Sequence, residues 1–222
     1  VLPNGVDLSR FSSVVPRQPY RFVYASSPDR GLHWLLTMWP EIRFTLPASE
    51  LHIYYEIQKW LEGAAGRLNS DVSMRAKYIM TRLNEWGGAG KYGVYVHGAV
   101  PPNVLAVELQ KSDAMLYPCD TIRPTEGFGV AVLEACAAGA VPIITNCDAL
   151  DEVYGTSGAV VIPKVDRTWV DSFIDQIVRI SKDRTEMEER RIRVIEFAKA
   201  YDWNLIARQW QDMIERRMRA KK

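Results

Sequence analysis

The chain has 222 residues, 47% hydrophobic and 25% charged, with a formal net charge of +1, the composition of one globular domain, or a domain with a small appendage, that can bury a core. This balance excludes a field strong enough to recruit nucleic acid or an anionic bilayer, and the basic tail Arg216, Arg217, Arg219, Lys221 and Lys222 reads as a solvated helix end. No apolar run approaches the roughly 20 residues that span a bilayer, and Val1 opens the chain without the pattern of a signal peptide.

The first predicted strand is Phe22-Val23-Tyr24-Ala25, followed by helical spacing at Leu32, Leu35, Leu36 and Trp39. Further strands are predicted at 51–55, 93–96, 114–117, 142–144 and 159–162, with helical spacing at Met74, Tyr78 and Thr81 between the second and third. Alternation of this kind, with strands apolar on both faces, predicts an α/β fold: a Rossmann-like, mostly parallel sheet of about six strands covered by helices on both faces. Ligands are then expected beyond the C-terminal ends of the strands. After the last strand only helices are predicted, with one apolar stripe at Val170, Phe173, Ile174, Ile177 and Val178 and another at Trp203, Ile206, Ala207, Trp210, Met213 and Ile214. The second stripe either covers its own domain's core or docks on an upstream domain.

Cys119, Cys136 and Cys147 are odd in number and lack CxxC spacing, and no Asn-x-Ser/Thr acceptor occurs. A reducing cytosol is therefore the expected location. Two apparent motifs fail. In Gly87-Gly88-Ala89-Gly90-Lys91, Tyr92 stands where a phosphate loop needs Ser or Thr, and Val132 replaces the third small residue of a dinucleotide fingerprint starting at Gly127. No metal spacing links His33, His52 and His97, and no nucleophile sits beside them.

The most informative stretch runs from Arg123 to Gly139, where Glu126 and Glu134 bracket a glycine-flanked turn that opens a helix. If 127–138 are helical, the two carboxylates lie roughly 12 Å apart along the axis at about 1.5 Å per residue. That matches the span from a donor's hexose across its diphosphate to its ribose. The helix N-terminus between them offers unpaired N–H groups and a positive dipole end suited to phosphate. Gly127 and Gly129 let a ligand approach the backbone, Glu126 would accept from sugar hydroxyls, and Glu134 would accept from ribose hydroxyls. Alternatively, Glu126 is a first-turn helix acid and Glu134 a solvated residue, but Ala135, Ala137, Ala138 and Gly139 suit a helix packed close to a sheet.

Glu126-Gly-Phe-Gly-Val-Ala-Val-Leu-Glu134-Ala-Cys-Ala-Ala-Gly-Ala-Val-Pro-Ile-Ile resembles the E-x7-E signature of the group 1 (GT4-like) glycosyltransferases. Val1-Leu2-Pro3-Asn4-Gly5-Val6-Asp7 resembles that family's linker into its C-terminal domain, and Ser26-Ser27-Pro28-Asp29-Arg30-Gly31-Leu32 its glycine-rich loop. Tyr201-Asp202-Trp203 and the helix behind it resemble its terminal segment. The resemblance implies the C-terminal, donor-binding half of a retaining transferase of the two-Rossmann GT-B type. Residues 1–200 would bind the nucleotide diphosphate sugar, and 201–222 would pack on an N-terminal acceptor domain upstream.

On the family pattern, Ser26, Ser27 and Arg30 would face the diphosphate, and Glu126, Gly127, Phe128, Gly129, Val130, Leu133 and Glu134 would hold the donor. His97, Gly98, Ala99 and Val100 would line the base pocket, in a loop stiffened by Pro101 and Pro102. Glu126 and Arg30 are the residues expected to act at the reacting centre. Ser27 stands where the family places a first arginine, which leaves Lys59 and Arg123 as candidates for a second cation. The His97 side chain itself reads as a strand-end histidine satisfied by a loop carbonyl rather than as a catalytic group. Neither a divalent metal nor another cofactor is expected. The acceptor, whether glycan, lipid, protein or small molecule, would be chosen by the upstream half, through which the protein could also sit at a membrane surface. A non-catalytic nucleotide-sugar-binding module and a sugar-nucleotide epimerase on the same fold are the alternatives.

Overall fold

A computed structural model describes residues 2–65, 70–86, 90–121 and 125–219. Arg123 and most of the rejected phosphate-loop pattern, 87–89, lie outside the described residues. All six expected strands form: β1 (Gln18–Tyr24), β2 (Glu50–Ile53), β3 (Val94–Val96), β4 (Ser112–Tyr117), β5 (Val141–Thr145) and β6 (Val160–Ile162). They pair in parallel in the order β3-β2-β1-β4-β5-β6. The winding direction reverses between β1 and β4, so connections leave these two strands in opposite directions and open a crevice beyond their C-terminal ends. Every residue of β4 and β5 is buried, as strands covered on both faces require.

The helices are α1 (Leu32–Thr45), α2 (Ile57–Ala65), α3 (Asp71–Glu85), α4 (Pro102–Lys111), α5 (Val130–Ala138), α6 (Leu150–Tyr154), α7 (Trp169–Lys182), α8 (Arg184–Lys199) and α9 (Trp203–Arg219). The stripe Leu32, Leu35, Leu36 and Trp39 seats α1 on the core, and Phe173, Ile174 and Ile177 do the same for α7. The helical spacing at Met74, Tyr78 and Thr81 falls on α3; Tyr78 packs half-buried against the core and Met74 is 61% exposed, while the fully buried positions are Ser73, Ala76 and Ile79. Small side chains at Ser73 and Ala76 let this helix approach its neighbours more closely than a methionine face would.

Two features tie the ends of the domain together. Asp113, fully buried at the start of β4, accepts both guanidinium nitrogens of Arg184 at 2.6 and 2.9 Å, Arg191 at 3.3 Å and the Tyr20 amide at 2.8 Å. This pins α8 to the sheet at the end opposite the crevice, with the carboxylate's lone pairs satisfied as a buried charge requires. At the other tie, Val6 pairs with the segment entering α9, its amide donating to the Tyr201 carbonyl at 2.8 Å and its carbonyl accepting from Trp203 at 3.0 Å. Only Ile206 of the α9 stripe is buried, while Trp203, Trp210 and Ile214 stay 44–49% exposed. The stripe therefore does not serve this domain's own core.

Candidate functional site

A cavity of about 970 Å³ opens beyond the C-terminal ends of β1 and β4, lined by Leu2 to Asn4, Ser26, Ser27, Arg30, Tyr117, Glu126 to Ala131, Ala149, Glu152, Val153 and Tyr201. The loop after β1 reaches it because Gly31, at φ +95°, lies directly on the exit of β4. A Cβ there would sit 1.9 Å from the Pro118 carbonyl oxygen, so only glycine allows the Arg30 loop this approach. Glu126 is fixed from the other side. The Asp148 carboxylate accepts the amides of Thr125 and Glu126 and the Thr121 hydroxyl, each at 3.0 Å. Burial raises the Asp148 pKa, but these bonds outweigh it and leave the pKa below its ordinary value.

Two donors converge on one oxygen of Glu126. Arg30 Nη1 donates to Oε2 at 2.6 Å and the Tyr117 phenol donates to the same atom at 2.5 Å, with Ser26 Oγ 3.2 Å from that phenol. Oε1 has no hydrogen bond from a described residue. Burial pushes the Tyr117 phenol far above its usual value, so it stays protonated and remains a donor. Ser27, where the family pattern has a cation, hydrogen-bonds its own neighbour Asp29.

The helix expected from residue 127 begins at Val130, because Gly129 adopts the left-handed conformation (φ 75°, ψ 57°) as its N-cap. The expected 12 Å spacing loses its premise: helical rise from Val130 to Glu134 is only about 6 Å. No side chain caps this helix, and Val130 and Ala131 line the cavity, so the uncapped amides and the positive dipole end face it.

The remaining expected residues divide. Glu134 does not line the cavity and is paired with Arg10 at 3.0 Å. Leu133 is fully buried and contributes no side chain to a ligand surface. Ala99 and Val100 line a second cavity of about 490 Å³, with Ala25, Tyr54, Tyr55, Glu56, Lys59, Trp60 and Leu105. Lys59 thus stands apart from Arg30. The His97 ring stacks on Tyr54 at 4.5 Å, and its Nε2 is 2.9 Å from His52 Nδ1, so its partner is another imidazole rather than a loop carbonyl. His97 and Gly98 line neither cavity. Among the described residues no group of three or more His, Cys, Asp or Glu side chains is placed to hold a metal ion, and no helix is long and apolar enough to cross a membrane.

Comparison with known proteins decides the family. Residues 20–183 match the pattern described as Glycosyl transferases group 1. The chain belongs to that family. This group 1 glycosyltransferase is 28% identical over 216 residues to the GDP-mannose:cellobiosyl-diphosphopolyprenol alpha-mannosyltransferase of Xanthomonas oryzae pv. oryzae (strain PXO99A), covering 96% of this chain and 51% of the relative. Its fold matches a sucrose-phosphate synthase from Thermosynechococcus elongatus (TM-score 0.71, 18% identity, 99% of this chain and 52% of that one). It also matches the GtfA/B complex (TM-score 0.69, 18% identity, 97% and 39%). A further match is the pneumococcal O-GlcNAc transferase GtfA, solved with UDP and GlcNAc (TM-score 0.65, 18% identity, 97% and 38%). The chain thus spans about half the length, or less, of these proteins.

Proposed function

We propose that this chain is the donor-binding half of a transferase that moves a sugar, with retention of anomeric configuration, from a nucleoside diphosphate sugar to an acceptor. The observation that carries this reading is the convergence of Arg30 and Tyr117 on Glu126 beside the uncapped start of α5. A carboxylate oxygen held by two donors is oriented, and Oε1, without a hydrogen bond from a described residue, would accept from sugar hydroxyls. The diphosphate would lie between Arg30 and the amides of Val130 and Ala131, where backbone donors and the dipole end favour an anion. As the glycosidic bond to the diphosphate breaks, the charge arriving on the leaving phosphate oxygen meets those same groups, already oriented in a cleft. Arg30 would then bridge Glu126 and phosphate, which limits the repulsion between two anionic groups. No metal is assigned a part.

The donor domain would comprise residues 1–200, and α9 with the tail, 201–222, would pack on an acceptor domain upstream through Trp203, Trp210 and Ile214. That partner half would choose the acceptor. A ribose contact from Glu134 requires sharing its carboxylate with Arg10. Calorimetric titration of a nucleoside diphosphate and its sugar into Glu126→Ala and Glu134→Ala tests these roles. The expected result is that Glu134→Ala weakens both ligands, whereas Glu126→Ala weakens mainly the increment due to the sugar. Equal loss of the free nucleotide in both variants would overturn the assignment of opposite ligand ends.

A further inference from the structure

The second cavity neighbours the first along the chain, since Ala25 lines one and Ser26 the other. Its walls are aromatic and aliphatic, with Tyr54, Tyr55 and Trp60 among the lining residues, side chains of a kind that stack on a flat heterocycle. Two charges interrupt them, Glu56 and Lys59, and neither side chain has a hydrogen-bond or ion-pair partner among the described residues. The Trp60 amide donates to the Glu56 carbonyl at 3.1 Å, so the turn of α2 is already formed at Glu56. Residues three apart on such a turn project to the same side. A paired surface Glu and Lys would neutralise each other, whereas these two present an unused double acceptor and an unused cationic donor to one apolar cavity.

We infer that this cavity selects guanine, with the Glu56 carboxylate accepting from N1–H and the N2 amino group while the Lys59 ammonium donates to O6. The inference rests on the proposed donor site and extends it to the base. Guanine alone places two donors side by side, so a carboxylate gains two parallel bonds from it. Uracil and thymine offer one N–H flanked by two carbonyl oxygens, and adenine and cytosine offer an amino group beside an acceptor nitrogen. Each of these sets a lone pair against the carboxylate. A bidentate base contact discriminates by on the order of tenfold to a hundredfold.

The test is competitive titration of GDP, UDP, ADP and dTDP on the chain and on its Glu56→Gln variant, a change at an exposed position. GDP is expected to bind at least about tenfold more tightly than the others. In Glu56→Gln that preference falls by a similar factor, while the weaker diphosphates keep their affinities and so report an intact fold. Equal affinity for UDP or ADP, or a preference for GDP that survives in Glu56→Gln, overturns the guanine assignment and leaves the donor site standing. Failure of all four to bind folded protein overturns both.

Discussion

Tyr117 and Arg30 hold Glu126 by charge-assisted and phenolic hydrogen bonds to one oxygen, and removing either donor leaves the carboxylate partly unpaired in a largely enclosed position. Tyr117→Phe should therefore cost about 1–2 kcal/mol of stability in urea unfolding. It should also weaken nucleotide-sugar binding more than binding of the free nucleoside diphosphate. His33 gives a pH signature. Burial and the neighbouring Arg75 lower its pKa from 6.5 to about 4, and its Nδ1 is buried without a hydrogen-bond partner among the described residues. A histidine kept neutral in the fold contributes stability that is complete above pH 6.5 and is lost as pH falls toward 4, because the unfolded chain takes up the proton first. The loss should be on the order of 3 kcal/mol across that window. His52, lowered by burial and by Arg21, acts in the same direction. Denaturant titrations from pH 7 to 4 should show this slope, and it should flatten in His33→Gln. At this scale Glu126 was legible because its spacing to Glu134 and the intervening glycines form a pattern. Asp148 was not, since its role depends on its own left-handed backbone (φ 51°) and on amides 22 and 23 residues upstream. Tyr117 was hidden as an ordinary strand aromatic, although its place at the C-terminal end of β4 was a usable signal.

Helix α5 starts later than its sequence suggests because Gly129, rather than Glu126, turns the chain into it. An added Cβ there would lie 2.7 Å from Leu150 Cδ2 at a backbone angle of φ +75°. Gly129→Ala should cost about 1–3 kcal/mol and shift the cavity-facing amides of Val130 and Ala131, which thermal unfolding and nucleotide titration would register together. Hydrophobic periodicity located α1, α3 and α7, but on α3 it left open which residues lie deepest. Period 3.6 fixes which residues share a stripe, while the stripe that packs is decided by how closely neighbours approach, and there Ser73 and Ala76 outweigh Met74. Glu134 illustrates a related limit: its helix position was readable, but its pairing with Arg10 joins residues 124 apart in sequence.

Across the whole molecule, six short apolar runs separated by helical segments were enough to imply the parallel sheet, because a strand buried on both faces needs helices on both sides. The reversal of strand order between β1 and β4 then places the first cavity, while the second is lined mostly by residues that follow β2 and β3. The destination of α9 could not be read from sequence, since an apolar stripe looks alike whether it packs inward or outward. With Trp210 and Ile214 exposed, Trp210→Glu should change the chain's own unfolding free energy by less than about 1 kcal/mol. If α9 docks on an acceptor domain as proposed, the same variant should abolish stable association with that domain expressed separately, measured by sedimentation.

The donor site itself is tested most directly by recording ¹H–¹⁵N correlation spectra of the chain during titration with a nucleoside diphosphate in the presence of a metal chelator. Saturable shifts are expected to concentrate at the amides of Arg30 and Gly127 to Ala131 around the first cavity, with a second group at Ala99 and Val100. A folded chain whose amides at 127–131 do not respond, or respond only after magnesium is restored, would contradict the placement of the diphosphate on the start of α5.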